Sequence, residues 1–268
     1  MDMAYSNEQL RERFNPEGSL LRRQQHRMMD LLLAFDAICK KHGIRYWLIG
    51  GTLLGAARHQ GFIPWDDDMD VQMLREDYER MVEILPRELD DTMALQCRQT
   101  DGNYFFQYAK LRDRRSVLDE NNGYDRIFQE RGIYIDIFPI DRHPKWTQRL
   151  SILSFGHVYK ILKRRNLPDS VIIGKVKSWV ALHEKLVFPV LRAVGRCLGG
   201  SYMDALGVPF VVERHKEYIF PLSTLVFEGH PMPVPGNYDK VLRDQYGDYM
   251  RLPNISKVNL HVSKLEIY

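Results

Sequence analysis

Cysteine is scarce in this chain. Cys39, Cys97 and Cys197 are three residues in 268, odd in number and without a Cys-x-x-Cys pair. That excludes a disulfide framework or a thiolate zinc site and points to small buried hydrophobes in a reducing compartment. Long apolar runs are missing too, since no stretch approaches 18 apolar residues free of charge, and no membrane-spanning helix is expected. The opening MDMAYSNEQLRERF lacks the apolar core of a secretory signal, so the expected location is cytoplasmic. Excess charge is small: a net +3 is too little to mark a nucleic-acid binder, and no nucleic-acid partner is expected. With 44% hydrophobic and 27% charged residues, what remains is an ordinary globular chain of one or two domains.

What is present concentrates between Trp47 and Leu74, WLIGGTLLGAARHQGFIPWDDDMDVQML. Asp68-Met69-Asp70-Val71 alternates with period two, which puts both carboxylates on one strand face, about 7 Å apart, and the apolar pair on the other. An extended chain reaching back to Asp66 adds a third acid to that face, with Asp67 turned away. Like charges held so close raise each other's pKa unless a cation intervenes, and hard oxygen ligands suit magnesium or manganese. A solvated acidic turn is the plainer alternative, but the apolar flanks Phe62-Ile63-Pro64-Trp65 and Met69 to Leu74 oppose it. A calcium loop fails at its sixth position, where Val71 replaces the required Gly, and at its twelfth, which is Asp77.

Ahead of the acids, Gly50-Gly51-Thr52 follows a strand and opens a helical LLGAAR segment. This arrangement lets the backbone approach a phosphate, with Arg58 about one and a half turns on. Further along, Lys110 and Arg112 share a strand face, suited to neutralising donor phosphates or simply forming a basic edge. Asp136 lies inside Ile133-Tyr134-Ile135-Asp136-Ile137-Phe138, where a carboxylate is costly to bury unless it serves a metal, a proton or a salt bridge.

The run from Gly50 to Gly55, then Arg58, then Gly61-Phe62-Ile63-Pro64-Trp65-Asp66-Asp67-Asp68-Met69-Asp70 resembles the LicD family of the nucleotidyltransferase-fold superfamily, to which fukutin-type glycan phosphotransferases also belong. Lys110-Leu111-Arg112-Asp113, Ile135-Asp136-Ile137-Phe138-Pro139 and Tyr246-Gly247-Asp248-Tyr249-Met250 extend the likeness over most of residues 25–150 and 225–255. Past Pro253 the family has basic residues and a His, to which Lys257 and His261 correspond only loosely. The resemblance implies a mixed α/β sheet flanked by helices and transfer of a phosphorylated group, typically phosphocholine from CDP-choline, to a sugar of a cell-surface glycan such as lipopolysaccharide or teichoic acid. Asp66, Asp68, Asp70 and Asp136 would then hold the metal, with Asp68, Asp70 and Asp136 catalytic, while Gly50, Gly51, Thr52, Arg58, Lys110 and Arg112 would bind the donor. Rival readings are a nucleotidyltransferase acting on a protein or metabolite, and a non-catalytic membrane- or glycan-binding relative.

Elsewhere the periodicity predicts a helix over 19–42, capped by Ser19 and stopped by Gly43, a strand over 44–49 and a helix from Arg75 ending before Pro86. It also predicts a hairpin of 93–99 with 104–111 turning at Asp101-Gly102-Asn103, and a polar, mobile surface loop over 112–131 able to lie over the site. Asp141 reads as an exposed cap. Residues 145–200 carry eleven Lys and Arg against two acids, a surplus of nine that leaves the rest of the chain six negative. Their amphipathic helical spacing suits an anionic polymer or an anionic membrane face, with peripheral attachment to the inner side of the cell membrane, and helices with a plain solvated face are the alternative. The expected units are a catalytic core at 1–144, this basic insert at 145–200, and a segment at 201–268 that folds back on the core. Tyr238, Tyr246 and Tyr249 in that segment are candidates to box a quaternary ammonium, with core packing the alternative.

Overall fold

The computed structural model describes residues 5–120, 122–164, 166–255 and 264–268. Lys257 and His261 fall outside them, as does Arg165 of the basic insert. Helix α1 (Asn7–Phe14) leads into the long α2 (Leu20–His42), which the Ser19 hydroxyl caps and Gly43 ends in the left-handed region, as the spacing predicts. Its apolar stripe, Met28, Leu31, Leu32, Phe35, Ile38 and Cys39, is buried in the principal core.

Strand β1 (Trp47–Leu48) is shorter than its apolar run, for only two residues find partners in β2 (Asp70–Leu74). Between them lies α3 (Gly50–His59). Helix α4 (Arg75–Glu88) runs through Pro86 rather than stopping before it. A proline in the last turn forfeits one backbone hydrogen bond, and buried Met81, Val82 and Leu85 hold the helix in place.

Strands β3 (Met93–Gln96) and β4 (Ala109–Asp113) pair antiparallel, but the hairpin connection is far longer than a turn. Tyr104, Phe105 and Phe106 are all buried but lie outside β4, which starts only at Ala109. They leave the ladder and join a second core. The segment expected to be surface loop contains β5 (Ser116–Asp119), whose partner is the distant β10 (Lys264–Ile267), and a short 3-10 turn at Asp125–Ile127. Strand β6 (Tyr134–His143) is the centre of the main sheet. It runs parallel to β2 on one edge and antiparallel to β4 and then β7 (Ser201–Asp204) on the other, in the order β1-β2-β6-β4-β3.

Helices α5 (Lys145–Leu162), α6 (Asp169–Leu182) and α7 (Phe188–Leu198), the last two joined by a π-helical turn at His183–Val187, enclose the second core. Phe155, Val176 and Phe188 meet Tyr104, Phe106 and Phe128 there. After the short α8 (Lys216–Ile219), β8 (Ser223–Phe227) and β9 (His230–Val234) form a hairpin where the prolines suggest only extended chain. With α9 (Tyr238–Tyr246), it sends Phe227, Met232, Val234 and Leu242 into the principal core. Among the described residues no helix is long and apolar enough to cross a membrane.

Candidate active site

The parallel register of β2 and β6 sets Asp70 directly beside Asp136, and the Asp136 amide donates to Met69 O at 2.8 Å. Met69 and Val71, wholly buried, occupy the opposite face. Asp66 and Asp68 precede the strand. Two side-chain amides of α2 hold their backbone: Gln24 donates to Asp67 O at 2.7 Å and Gln25 to Asp66 O at 2.9 Å.

The glycine pair opens α3 directly under these acids. Gly50 has φ +56°, and a Cβ there would come within 3.1 Å of Asp70 Oδ2; a Cβ on Gly51 would stand 2.6 Å from Asp66 Oδ2. Any side chain would therefore push the carboxylates off the helix N-terminus, whose partial positive charge favours them. Ile49 gives α3 no side-chain cap. Thr52 is buried, and its hydroxyl accepts the Asp70 amide at 2.8 Å, locking the first turn of α3 to the start of β2.

Crowding dominates the electrostatics. Burial first, then Asp68, raises Asp66 to about 8, and these two also share a hydrogen bond. Burial and the charges of Asp68, Asp136 and Asp66 drive Asp70 well above the carboxylate range, with Lys110 opposing. Asp136 rises to about 6, lifted by burial and held down by Lys110. The Lys110 amine stands 2.8 Å from Asp136 Oδ1 and 3.2 Å from the centre of the Tyr134 ring. That oxygen is buried and has no hydrogen-bond partner, so the amine attracts it without the alignment of a bond.

The remaining cations are placed differently. Arg112 is buried, donating to Gln96 Oε1 at 2.8 Å and Gly132 O at 2.7 Å. Arg58 donates from Nη1 to Tyr249 O at 2.9 Å, which ties the C-terminal segment to α3, and Asp66 acts on its charge.

Two chambers meet at these acids. The larger, about 850 Å³, reaches from Gly50, Gly51, Asp66 and Asp70 to Asp204 and Arg214. The smaller, about 400 Å³, is walled by aromatic residues and by Glu120 and Asp125. Asp68, Asp136, Tyr108 and Tyr124 line both. Asp67, expected to turn away, lines the smaller chamber, because the chain is not yet a strand at that point and alternation does not govern it.

The profile described as "LicD/FKTN/FKRP, nucleotidyltransferase domain" matches residues 43–163, which contain all of these acids. The lipopolysaccharide cholinephosphotransferase LicD of Haemophilus influenzae is 30% identical over 249 residues, 87% of this chain and 92% of that protein. The chain belongs to the LicD family. A shorter likeness, 38% over 73 residues, links it to the human ribitol 5-phosphate transferase FKRP, covering 25% of this chain and 15% of that one. A Rickettsia prowazekii protein, RP689, is 53% identical over 60 residues, 22% of this chain and 23% of that protein. LicD-family membership makes this chain a phosphotransferase by class.

Several residues around this LicD-family site escape sequence reasoning. Gln24 and Gln25 leave one faint signal, two amides inside an apolar helical stripe. Glu120, Tyr124 and Asp125 lie in the polar stretch read as a loop able to cover the site, which it borders, but without periodicity nothing local singles out these three side chains. Of the three candidate box tyrosines only Tyr246 lines a chamber; Tyr249 is buried in the principal core and Tyr238 packs against it.

Proposed function

We propose that the chain transfers phosphocholine from CDP-choline to a sugar hydroxyl of a cell-surface glycan or its lipid-linked precursor. The observation that carries this reading is the meeting of Asp66, Asp68, Asp70 and Asp136 with the glycine pair and Lys110 where two chambers join. It is supported by the likeness, over nearly the whole chain, to a lipopolysaccharide cholinephosphotransferase.

The donor set fits a hard divalent cation, magnesium or manganese. All four candidates are carboxylates, their mutual repulsion exceeds what Lys110 offsets, and the buried Asp136 Oδ1 faces the Lys110 amine at 2.8 Å without an aligned hydrogen bond. Among the described residues no three such groups form a ready-made cage, so the fit rests on donor chemistry. When bound, the ion would neutralise the donor's diphosphate and stabilise the negative charge of transfer.

The residues themselves do the rest. The amides of Gly50 and Gly51 offer donors to a phosphate oxygen, and Lys110 supplies a fixed positive charge on the same side. Asp136 takes the proton as the sugar oxygen attacks the choline-bearing phosphorus; the bond to the leaving phosphate breaks and cytidine monophosphate departs. Catalysis is positioning and electrostatics. Arg58 acts from the rim, through Tyr249 and the charge of Asp66. Arg112 supports Tyr134 under Lys110, with its guanidinium 4.6 Å from that ring.

A lipid-linked acceptor also gives a role to the apolar side chains left exposed on the basic insert. Trp146 and Leu150 lie on α5 with Leu153, which is 79% exposed, while Leu186, Val190 and Leu198 lie on or beside α7. We read this surface as the membrane-facing side of the enzyme.

Calorimetric titration with CDP-choline, with and without magnesium, tests the assignment in wild type and in Asp68→Asn and Asp70→Asn. Magnesium-dependent binding in wild type, together with a loss of turnover of at least a hundredfold in each variant, is expected. Near-normal turnover in folded Asp70→Asn would sink the site, and release of pyrophosphate in place of cytidine monophosphate would sink the reaction.

A further inference from the structure

The smaller chamber has a chemistry of its own. Phe106 stacks between Tyr108, 5.6 Å away at 14°, and Tyr159, 5.3 Å away at 20°. Tyr124 and Phe128 stand across that row at 64° and 80° to Phe106, with centroids 5.4 and 5.8 Å from it. Both faces of Phe106 are thus taken by its stacked neighbours, whereas Tyr124 meets Phe106 and Phe128 only edge-on or tilted, at 64° and 58°. Into the same 400 Å³ project five carboxylates, Asp67, Asp68, Glu120, Asp125 and Asp136, against a single amine, Lys110.

Core packing alone does not account for this composition. An apolar corner gains nothing from carboxylates at its wall, and each costs desolvation there unless a cation compensates. The acids are held in place deliberately. Asn122 Nδ2 donates to Asp125 Oδ1 at 2.7 Å and the Glu120 amide to Asp125 Oδ2 at 3.2 Å, while the Tyr134 hydroxyl donates to Glu120 Oε1. Lys110 shows that the setting accepts an ammonium, since its Nζ already lies 3.2 Å from the Tyr134 ring centre. Aromatic faces within about 6 Å, with a carboxylate nearby, are the general recognition set for an alkylated ammonium ion.

We infer that this chamber is the subsite for a small organic cation, the quaternary ammonium head group carried by the donor, with Tyr124 as its aromatic wall and Glu120 as its counter-charge. The inference rests on the phosphocholine reading above and deepens it. Because Asp68 and Asp136 line both chambers, a head group seated here leaves its phosphate at the acids and its nucleotide in the larger chamber. A neutral polyol head group would bring no charge to Glu120 and Asp125, so the chamber favours a cationic head group over it.

The full chain, titrated with CDP-choline, CDP and choline chloride in the presence of magnesium, tests the subsite. Wild type should bind CDP-choline at least tenfold more tightly than CDP. Tyr124→Ala and Glu120→Gln should lose that margin, Glu120→Gln while binding CDP within twofold of wild type, and Tyr124→Phe, which keeps the ring, should retain it. Equal affinity for the two nucleotides in wild type, a margin that survives both variants, or tighter binding of a CDP-polyol overturns the subsite. Choline chloride separates the two readings. If no cytidine nucleotide binds, the donor assignment fails, yet millimolar choline binding that Tyr124→Ala abolishes still supports the subsite, and its absence refutes it.

Discussion

His59 shows how one side chain couples the site to pH. It is buried, its Nε2 accepts from Arg58 Nε at 2.9 Å, and its Nδ1 is left to donate to Asn7 Oδ1 at 2.6 Å, so the ring is neutral. Burial, then the charges of Arg58 and Arg11, push its pKa down to about 4. The folded value lies below the unfolded one, so the unfolded chain protonates first. The stability this contributes is intact above about pH 6.5 and is lost as pH falls toward 4. Denaturant midpoints measured from pH 7.5 to 4 should therefore fall, with His59 accounting for about 3 kcal/mol, and His59→Gln should flatten that part of the curve. An unchanged slope in the variant would mean that another group titrates there. Residue-level reading from sequence succeeds where neighbours in the chain set the environment, as with Met69 and Val71. It fails for Asp141, expected as an exposed cap, which instead takes two hydrogen bonds from Arg75 at 2.9 and 2.7 Å. The guanidinium that buries it comes from another strand end, and no local pattern carries that pairing.

At the scale of elements, the β8–β9 hairpin is anchored by its own turn. Glu228 and Gly229 both have positive φ, 47° and 81°, the primed geometry that a two-residue hairpin needs, although Glu adopts it at a cost. The carboxylate compensates: Arg22 donates to Oε2 at 2.8 Å, while Arg11 and the Phe62 amide reach Oε1 at 3.4 and 3.2 Å. Glu228→Ala leaves two guanidinium groups short of a partner and should lower stability by about 3 kcal/mol, seen as a lower urea midpoint with unchanged m. A loss below about 1 kcal/mol would mean the hairpin is held by its apolar face alone. Helices α2 and α3 and the acid strand were legible because periodicity and caps are local signals. The 104–108 run was not, since its aromatics answer to the insert's helices, and β5 was not, since its partner lies near residue 265.

For the molecule as a whole, the basic insert predicts behaviour at a surface. The chain should sediment with anionic phosphatidylglycerol vesicles and not with neutral phosphatidylcholine ones. Added salt should weaken that binding, and Leu153→Glu combined with Leu186→Glu should reduce it at least fivefold. Recovery in the supernatant with both vesicle types would contradict the membrane reading. The two chambers carry a different consequence. On the proposed reading the reaction centre draws on residues 47–70 with Lys110 and Asp136, whereas the aromatic walls of the smaller chamber, with Glu120 and Asp125, come from residues 106–134. Machinery and selectivity would thus draw on largely separate stretches of one chain, joined at Lys110 and at Asp68, Tyr108, Tyr124 and Asp136, which line both chambers. Drift in the second stretch can change the cargo while the first goes on breaking the same bond, and a lineage can diversify what it attaches without relearning how to attach it.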